Sequence, residues 1–264
     1  MKPSATFYCK DDEGRDLSAK EWIDFVASKG FRCIEIAVHA LPKSDDEKSE
    51  IIKYARDKGF EINLHSNYGP NNITDTDEEN RRLSIDQHKA SIDLAAKYGL
   101  GVVVFHPGRR SDPSDSKAEK WDLMFPAVEE IAEYAKQKKV RVGIENMEWR
   151  KNEIVHTVDD LNRFAYIAEN NPYFGATVDF GHYASKDAAF PDIFSLKLPI
   201  FDVHLSQFAD GKAHHPITYE GGVVDFERVF RALAEYGYQG FTVFETGGGY
   251  ADGKRYIDEI IAKL

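Results

Sequence analysis

Two hydrophobic patterns recur along the chain, short apolar runs and longer amphipathic segments. The short runs are rich in β-branched and aromatic residues and are apolar at nearly every position. This is typical of parallel strands that are covered on both faces. The eight runs are ATFYC, CIEIAV, FEINLH, GVVVFH, VRVGIE, GATVDF, FDVHLS and FTVFE.

Helical patterns separate most of these runs, and several begin with Ser or Asp and end with Gly, as helix caps do. Examples are SAKEWIDFVASKG, DEENRRLSIDQHKASIDLAAKYG and DFERVFRALAEYG. The weakest unit follows the sixth strand, where ASKDAAFPDIFSLK predicts only a short helix. Eight strand–helix units without a linker predict one α/β domain over residues 1–264, a (β/α)8 TIM barrel. A doubly wound open sheet is the alternative, and the number of units favours closure.

Charge and composition narrow the class of protein. The 34 Lys and Arg against 45 Asp and Glu give a net charge of −11, which disfavours nucleic acid as a partner. Cys9 and Cys33 form no CxxC pair and are expected to be reduced. No run reaches the roughly 18 apolar residues of a membrane span, and the N-terminal segment lacks the apolar region of a signal peptide. We therefore expect a cytoplasmic protein.

Ionisable side chains lie at or near the ends of the predicted strands. Because the carboxyl ends of barrel strands meet at one mouth, these side chains should converge. Clustered carboxylates in a low dielectric destabilise the fold unless a cation neutralises them, so a divalent metal is the simplest explanation. The residues are Glu35, His65, His106, Glu145, Asp179, His182, His204 and Glu245.

One subset has the composition of a metal shell. Glu145, Asp179, His204 and Glu245 come from four strands and offer mixed oxygen and nitrogen ligands. Such a set suits one divalent metal ion: Mn²⁺, Co²⁺, Zn²⁺ or Mg²⁺. His182 either completes this shell or contacts the substrate.

Several segments in this order resemble the xylose-isomerase-like barrel superfamily, which includes sugar isomerases and epimerases and the endonuclease IV type of repair enzyme (AP endonuclease family 2). They are VVVFHPG, VGIENM, TVDFGH, DVHLSQ, DGKAHHP with GGVVDF, and FTVFET, within the range from Leu64 to Thr246. The resemblance implies that the Glu145, Asp179, His204 and Glu245 set holds one metal and that the two glutamates act as acid and base.

The function implied is isomerisation or epimerisation of a small sugar or cyclitol, by proton abstraction next to a carbonyl through an enediolate. Aromatic residues near the mouth, Phe7, Tyr8, Tyr68 and Trp149, are candidates to stack on the substrate. The expected substrate-binding residues are His182, His65, His106, His214, Glu35 and Trp149.

Three alternatives remain open from the sequence. One is a zinc phosphodiesterase of the endonuclease IV type acting on abasic DNA, whose three-metal site needs an Asp-x-His pair where this chain has Lys212 and His214. Another is an inosose dehydratase-like lyase, which shares the enediolate chemistry. The third is a barrel that binds a sugar-like ligand without turnover. A homo-oligomer is also left open by the apolar residues of YIDEIIAKL.

Overall fold

Eight parallel strands close into a barrel in the computed structural model, which describes residues 1–67, 69 and 72–264. Each barrel strand pairs with the barrel strand before it, and the last closes the ring by pairing its Phe241 with Lys2 of the first. The predicted (β/α)8 TIM barrel is therefore confirmed. Its strands are β1 (Lys2–Thr6), β2 (Cys33–Ala37), β3 (Glu61–His65), β4 (Val103–Phe105), β5 (Val142–Glu145), β6 (Phe174–Asp179), β7 (Ile200–Leu205) and β10 (Phe241–Phe244). The labels β8 (Gln207–Ala209) and β9 (Lys212–His215) belong to a separate hairpin.

Several helices begin or end at the predicted caps. Ser18 and Glu21 form a capping box at the first helix, and Asp77 caps the third, which ends at Gly99 with φ of 58°. No helix of the described ranges is both long and apolar enough to cross a bilayer. The helices are α1 (Ala19–Ser28), α2 (Asp45–Asp57), α3 (Glu78–Tyr98), α4 (Lys117–Lys138), α5 (Val158–Asn162), α6 (Ala165–Ala168), α7 (Phe180–Ala184), α8 (Phe226–Tyr236) and α9 (Tyr250–Ile261).

A small antiparallel hairpin follows β7 and was not predicted from the sequence. Its strands are β8 (Gln207–Ala209) and β9 (Lys212–His215). Asp210 and Gly211 form the turn, with φ of 51° and 74°, and the Asp-Gly pair is a typical signal for a two-residue hairpin turn. The hairpin matters because β9 carries His214 to the mouth of the barrel.

The apolar core lies between the strands and the helices. Aromatic rings pack edge to face there, with 5.0 Å between the centroids of Phe7 and Trp22 and 5.4 Å between those of Phe31 and Phe244. Ile257 of α9 is fully buried in the same cluster, so core packing accounts for the apolar residues of the C-terminal helix.

The inside of the barrel, which we call the lumen, is unusually polar. Along each strand, side chains that point outward to the apolar core alternate with side chains that point into the lumen. The lumen side chains are also buried but do not belong to that core. TIM barrels are mostly filled by bulky branched side chains, and buried polar groups are costly unless they are paired. The polar lumen residues near and below the mouth include Ser4, Thr6, Glu35, Asn63, Thr177 and Asp202.

Candidate active site and metal centre

The four predicted metal ligands meet at the carboxyl ends of their strands. His204 Nδ1 on β7 lies 3.3 Å from Glu145 Oε1 and 3.2 Å from Glu245 Oε2. Asp179 Oδ2, at the end of the neighbouring β6, is 3.9 Å from the same nitrogen. One imidazole nitrogen therefore faces three carboxylates that arrive from three other strands.

These atoms fit a divalent cation. Glu145 Oε1 and Oε2, Asp179 Oδ2, His204 Nδ1 and Glu245 Oε2 are all buried, and none makes a hydrogen bond within the described part of the chain. Buried polar atoms are normally satisfied, so a group of them aimed at one point indicates a bound partner. Three carboxylate groups and one imidazole nitrogen suit Mn²⁺, Co²⁺, Zn²⁺ or Mg²⁺.

Three further histidines surround Glu145. His106 Nε2 and His65 Nε2 lie 3.2 Å and 3.5 Å from Glu145 Oε2. His182 Nδ1 lies 3.3 Å from the other oxygen, Oε1. The structure thus brings together all of the strand-end histidines that the sequence indicated.

The charges in this cluster depend strongly on each other. Burial opposes ionisation of Glu145, but the charge of His204 and the adjacent imidazoles of His106 and His204 outweigh it, so its pKa is well below the usual range. Burial raises the pKa of Asp179 to about 6, and the carboxylates of Glu245 and Glu145 act in the same direction against the charge of His182. Burial lowers the pKa of His204, but Glu35 and Glu145 raise it well above normal. Protons on the imidazoles therefore balance the carboxylates, and a cation would compete with them.

Asp179 has two separate tasks, which explains why a buried strand ends in a carboxylate. Its Oδ1 accepts a hydrogen bond of 2.6 Å from the backbone N–H of His182 and so caps α7. Its Oδ2 is left to face the metal ligands. Asn146 holds this corner in place, because its amide group donates to Asp179 O at 3.0 Å and accepts from Asp179 N at 2.9 Å. The sequence analysis did not identify Asn146.

A cavity of about 230 Å³ opens above the cluster. A larger cavity, about 710 Å³, lies at the opposite end of the barrel and is lined by cations such as Lys2 and Arg141. We place the functional site at the smaller cavity because the buried ionisable groups converge there. Its lining residues are Tyr8, His106, Met147, Glu148, Arg150, Glu153, His182, His214 and Glu245.

Glu148 lines the cavity and was not among the residues predicted for the site. It lies with His182 and His214, and one potential ligand atom from each of the three falls within 4.8 Å of the others. It also pairs with Arg150. Lys212 of β9 is exposed and takes no part in this group. The position of Glu148 depends on the loop after β5, whose course the sequence pattern does not determine.

Some predicted substrate-binding residues lie elsewhere. Glu35 is fully buried in the lumen beneath His204 and does not line the cavity. Trp149 is 39% exposed and stacks on His156, with 4.5 Å between the ring centroids. Phe7 belongs to the outer core, whereas Tyr8 lines the cavity. Tyr68 lies outside the described residues.

Comparisons with known proteins identify the family. A family model described as xylose isomerase-like TIM barrel matches residues 23–263, and the chain belongs to this family. A curated relative, uncharacterized protein MJ1188 of Methanocaldococcus jannaschii, is 26% identical over 181 residues. That alignment covers 69% of this chain and 65% of the relative, so the chain spans just under two thirds of the relative's length.

Solved structures share the fold over nearly the whole chain. The crystal structure of a D-tagatose 3-epimerase-like protein superposes with a TM-score of 0.83 at 24% identity and covers 100% of this chain and 98% of the other. D-psicose 3-epimerase from Clostridium cellulolyticum H10 has a TM-score of 0.74 at 18% identity, with 97% and 89% of the two chains covered. At these identities the likeness establishes the fold.

Proposed function

We propose that this protein is a divalent-metal-dependent sugar isomerase or epimerase. In this proposal Glu145 and Glu245 form an acid/base pair that moves a proton at the carbon next to a carbonyl. The observation that carries the proposal is the position of these two carboxylates, each within 3.3 Å of His204 Nδ1. The similarity to structures of a D-tagatose 3-epimerase-like protein and a D-psicose 3-epimerase supports a small sugar as the substrate class.

Glu145, Asp179, His204 and Glu245 would hold the metal. When bound, the ion supplies Lewis-acid stabilisation to the negative charge that an enediolate carries. These ligands are rigid because they sit at strand ends, so they bring the reacting groups together without a conformational search.

The chain's own residues account for the proton transfer. Glu245 lines the cavity directly, whereas Glu145 is completely buried and is surrounded by His65, His106 and His182. Burial raises the pKa of both carboxylates, but the nearby imidazoles outweigh this effect and hold both pKa values below normal. Both carboxylates are therefore ionised at neutral pH. His182 and His214 line the same cavity and are placed to bind substrate hydroxyl groups.

Deuterium exchange tests this function directly. The metal-loaded protein is incubated in D₂O with ketoses and inososes, and NMR follows loss of the proton next to the carbonyl. We expect exchange and a new epimer or isomer with at least one substrate, and loss of both in Glu145→Gln and Glu245→Gln. Elimination of water would instead assign a lyase. Exchange at full rate in both variants would refute the acid/base pair, and binding without exchange would indicate a binding protein.

A second candidate is supported by two additional clusters of potential metal ligands. One contains His65, His106 and Glu145, and the other is the Glu148, His182 and His214 group. Together with the first centre they offer ligands for three ions, as a phosphodiesterase of the endonuclease IV type requires. Lys212 stands where the endonuclease type has an aspartate, and Glu148 offers a carboxylate beside His214 in its place. The net charge of −11 counts against DNA as the substrate.

Metal stoichiometry and a nicking assay separate the two candidates. About one metal per chain and no cleavage of an abasic-site duplex are expected for the sugar enzyme. Three zinc ions per chain, with cleavage that Glu148→Gln abolishes, would establish the phosphodiesterase instead.

A further inference from the structure

Glu35 is a fully buried carboxylate whose two oxygens both lie close to the imidazole of His204, and His65 belongs to the same buried group. Glu35 lies in the middle of β2, on the lumen side, and is 0% exposed. Its Oε1 and Oε2 are 3.2 Å and 3.3 Å from His204 Nε2. Burial of a carboxylate costs several kcal/mol unless a charged or hydrogen-bonding group compensates. The imidazole of His204 is that group.

The two nitrogens of His204 therefore have different surroundings. Nε2 points down the lumen to Glu35, and Nδ1 points up to Glu145, Asp179 and Glu245. A neutral imidazole has one N–H and one lone pair, and the partner of one nitrogen decides which role the other takes. A carboxylate only accepts, so Glu35 favours a proton on Nε2, and a cation held by the other three carboxylates would take the lone pair of Nδ1.

Asp202 is another buried acid of the lumen, and although the charges of Glu35 and His204 act on it, its hydrogen bonds go to other partners. Asp202 Oδ2 accepts a hydrogen bond of 2.5 Å from Asn63, and Oδ1 accepts from the backbone N–H of Val203 at 2.9 Å. Asp202 is as buried as Glu35 but makes no hydrogen bond to His204 among the described residues. It provides a matched control for the loss of a lumen carboxylate.

We propose that Glu35 is a positioning residue for the metal centre, which orients His204 and commits Nδ1 to the metal. This assigns Glu35 a role below the site in place of the substrate contact expected from the sequence. A carboxylate behind a metal-ligating histidine fixes the ring and increases its basicity, and removal of such partners weakens metal binding 10- to 100-fold. The inference rests on the metal centre of the proposed function.

Zinc affinity, measured by competition with a chromophoric chelator, tests this role without an activity assay. We expect Glu35→Gln to bind zinc about 10-fold more weakly than the wild type, since Gln keeps an acceptor but loses the charge. Glu35→Leu, which removes the acceptor, should weaken binding about 100-fold. Asp202→Asn should stay within about 3-fold of the wild type, below the range for loss of a partner of the ligating histidine. Circular dichroism and the thermal midpoint report whether each variant folds.

A spectroscopic signature separates orientation from general destabilisation. In the zinc-loaded protein, ¹⁵N-histidine NMR should show an exchange-protected proton on Nε2 of His204, and Glu35→Gln should shift it and increase its exchange. Folded Glu35 variants with unchanged affinity and an unchanged Nε2 proton would overturn the role of Glu35 and leave the metal centre intact. Failure of the wild type to bind any divalent metal would overturn both.

Discussion

The Nε2 atoms of His182 and His214 lie 3.4 Å apart at the mouth of the barrel, and the two rings meet edge to face. His182 Nδ1 is 2.9 Å from Asn146 O, and His214 Nδ1 is 3.3 Å from Glu245 O. With protons on both Nδ1 atoms, two lone pairs would face each other. A shared proton or a donor group of a ligand satisfies both nitrogens.

This contact predicts that the two histidines act together on the substrate. Each of His182→Gln and His214→Gln should lower kcat/KM about 5- to 30-fold, the effect of one lost hydrogen bond in a buried site. The fold-decrease in kcat/KM of the double variant should be smaller than the product of the two single fold-decreases, because residues in contact couple by at least about 0.5 kcal/mol. Kinetics on the substrate found by deuterium exchange provide the measurement, with metal content as the control. Independent effects would contradict the shared role.

The two tasks of Asp179 can be separated by one isosteric change. Asp179→Asn keeps an oxygen for the cap on His182 N and replaces Oδ2 by an amide that cannot bind a cation. We expect a thermal midpoint close to that of the wild type without metal, but less than about a tenth of the bound metal, since an amide NH₂ offers only donors. Asp179→Ala is the comparison, and it should also lose about 1 kcal/mol of stability with the cap. Wild-type metal content in Asp179→Asn would remove Asp179 from the shell.

His88 should make the metal-free protein less stable in acid. Its Nδ1 is 2.8 Å from Ser66 Oγ, and burial, together with the charges of His106 and His65, lowers its pKa from 6.5 to about 3. The unfolded chain therefore binds more protons than the native one between pH 6.5 and 3, and stability falls as the pH falls through that window. At pH 5 the loss is about 2 kcal/mol relative to pH 7.

Urea unfolding of the wild type and His88→Gln, both in chelator, measures how much His88 contributes to the pH dependence of the free energy of unfolding. The other histidines are common to both proteins and cancel in the difference. We expect the stability gap between them to narrow by about 2 kcal/mol from pH 7 to pH 5. A gap that does not change with pH would show that His88 titrates normally.

Gly143 is required by a close approach within the lumen. A Cβ at this position would lie 2.3 Å from Thr177 Oγ1 on the neighbouring strand. Gly143→Ala should therefore destabilise the protein by about 1–3 kcal/mol through overpacking. Thr177→Ala removes the opposing hydroxyl, so the double variant should be more stable than the sum of the single effects by at least about 1 kcal/mol. Strict additivity in urea unfolding would show that the clash is relieved elsewhere.

Tyr8 and Trp149 form a matched pair of exposed aromatic residues, at 37% and 39% exposure. Only Tyr8 lines the cavity, whereas Trp149 stacks on His156. Tyr8→Leu should raise KM about 3- to 10-fold if the ring stacks on the substrate, and Trp149→Leu should change it less than about 2-fold. Equal effects on KM would place both rings at the substrate.

Much of the architecture follows from local pattern. The apolar runs and their caps predict the strands and the principal helices, and parallel strands in a closed barrel must bring their carboxyl ends together. The convergence of Glu145, Asp179, His204 and Glu245 therefore follows from sequence order once the barrel is assumed. The hairpin β8–β9 lies outside this pattern, because its strands are too short for a clear period.

Only the tertiary structure decides which way each side chain of a doubly buried strand points. A continuous apolar run hides its two-residue alternation, so Glu35 and Phe7 both look like residues of the mouth in the sequence. Packing sends Phe7 outward to the helices and places Glu35 beneath His204. Loop residues depend on long-range contacts in the same way, which is why Trp149 lies against His156 and Glu148 beside His182.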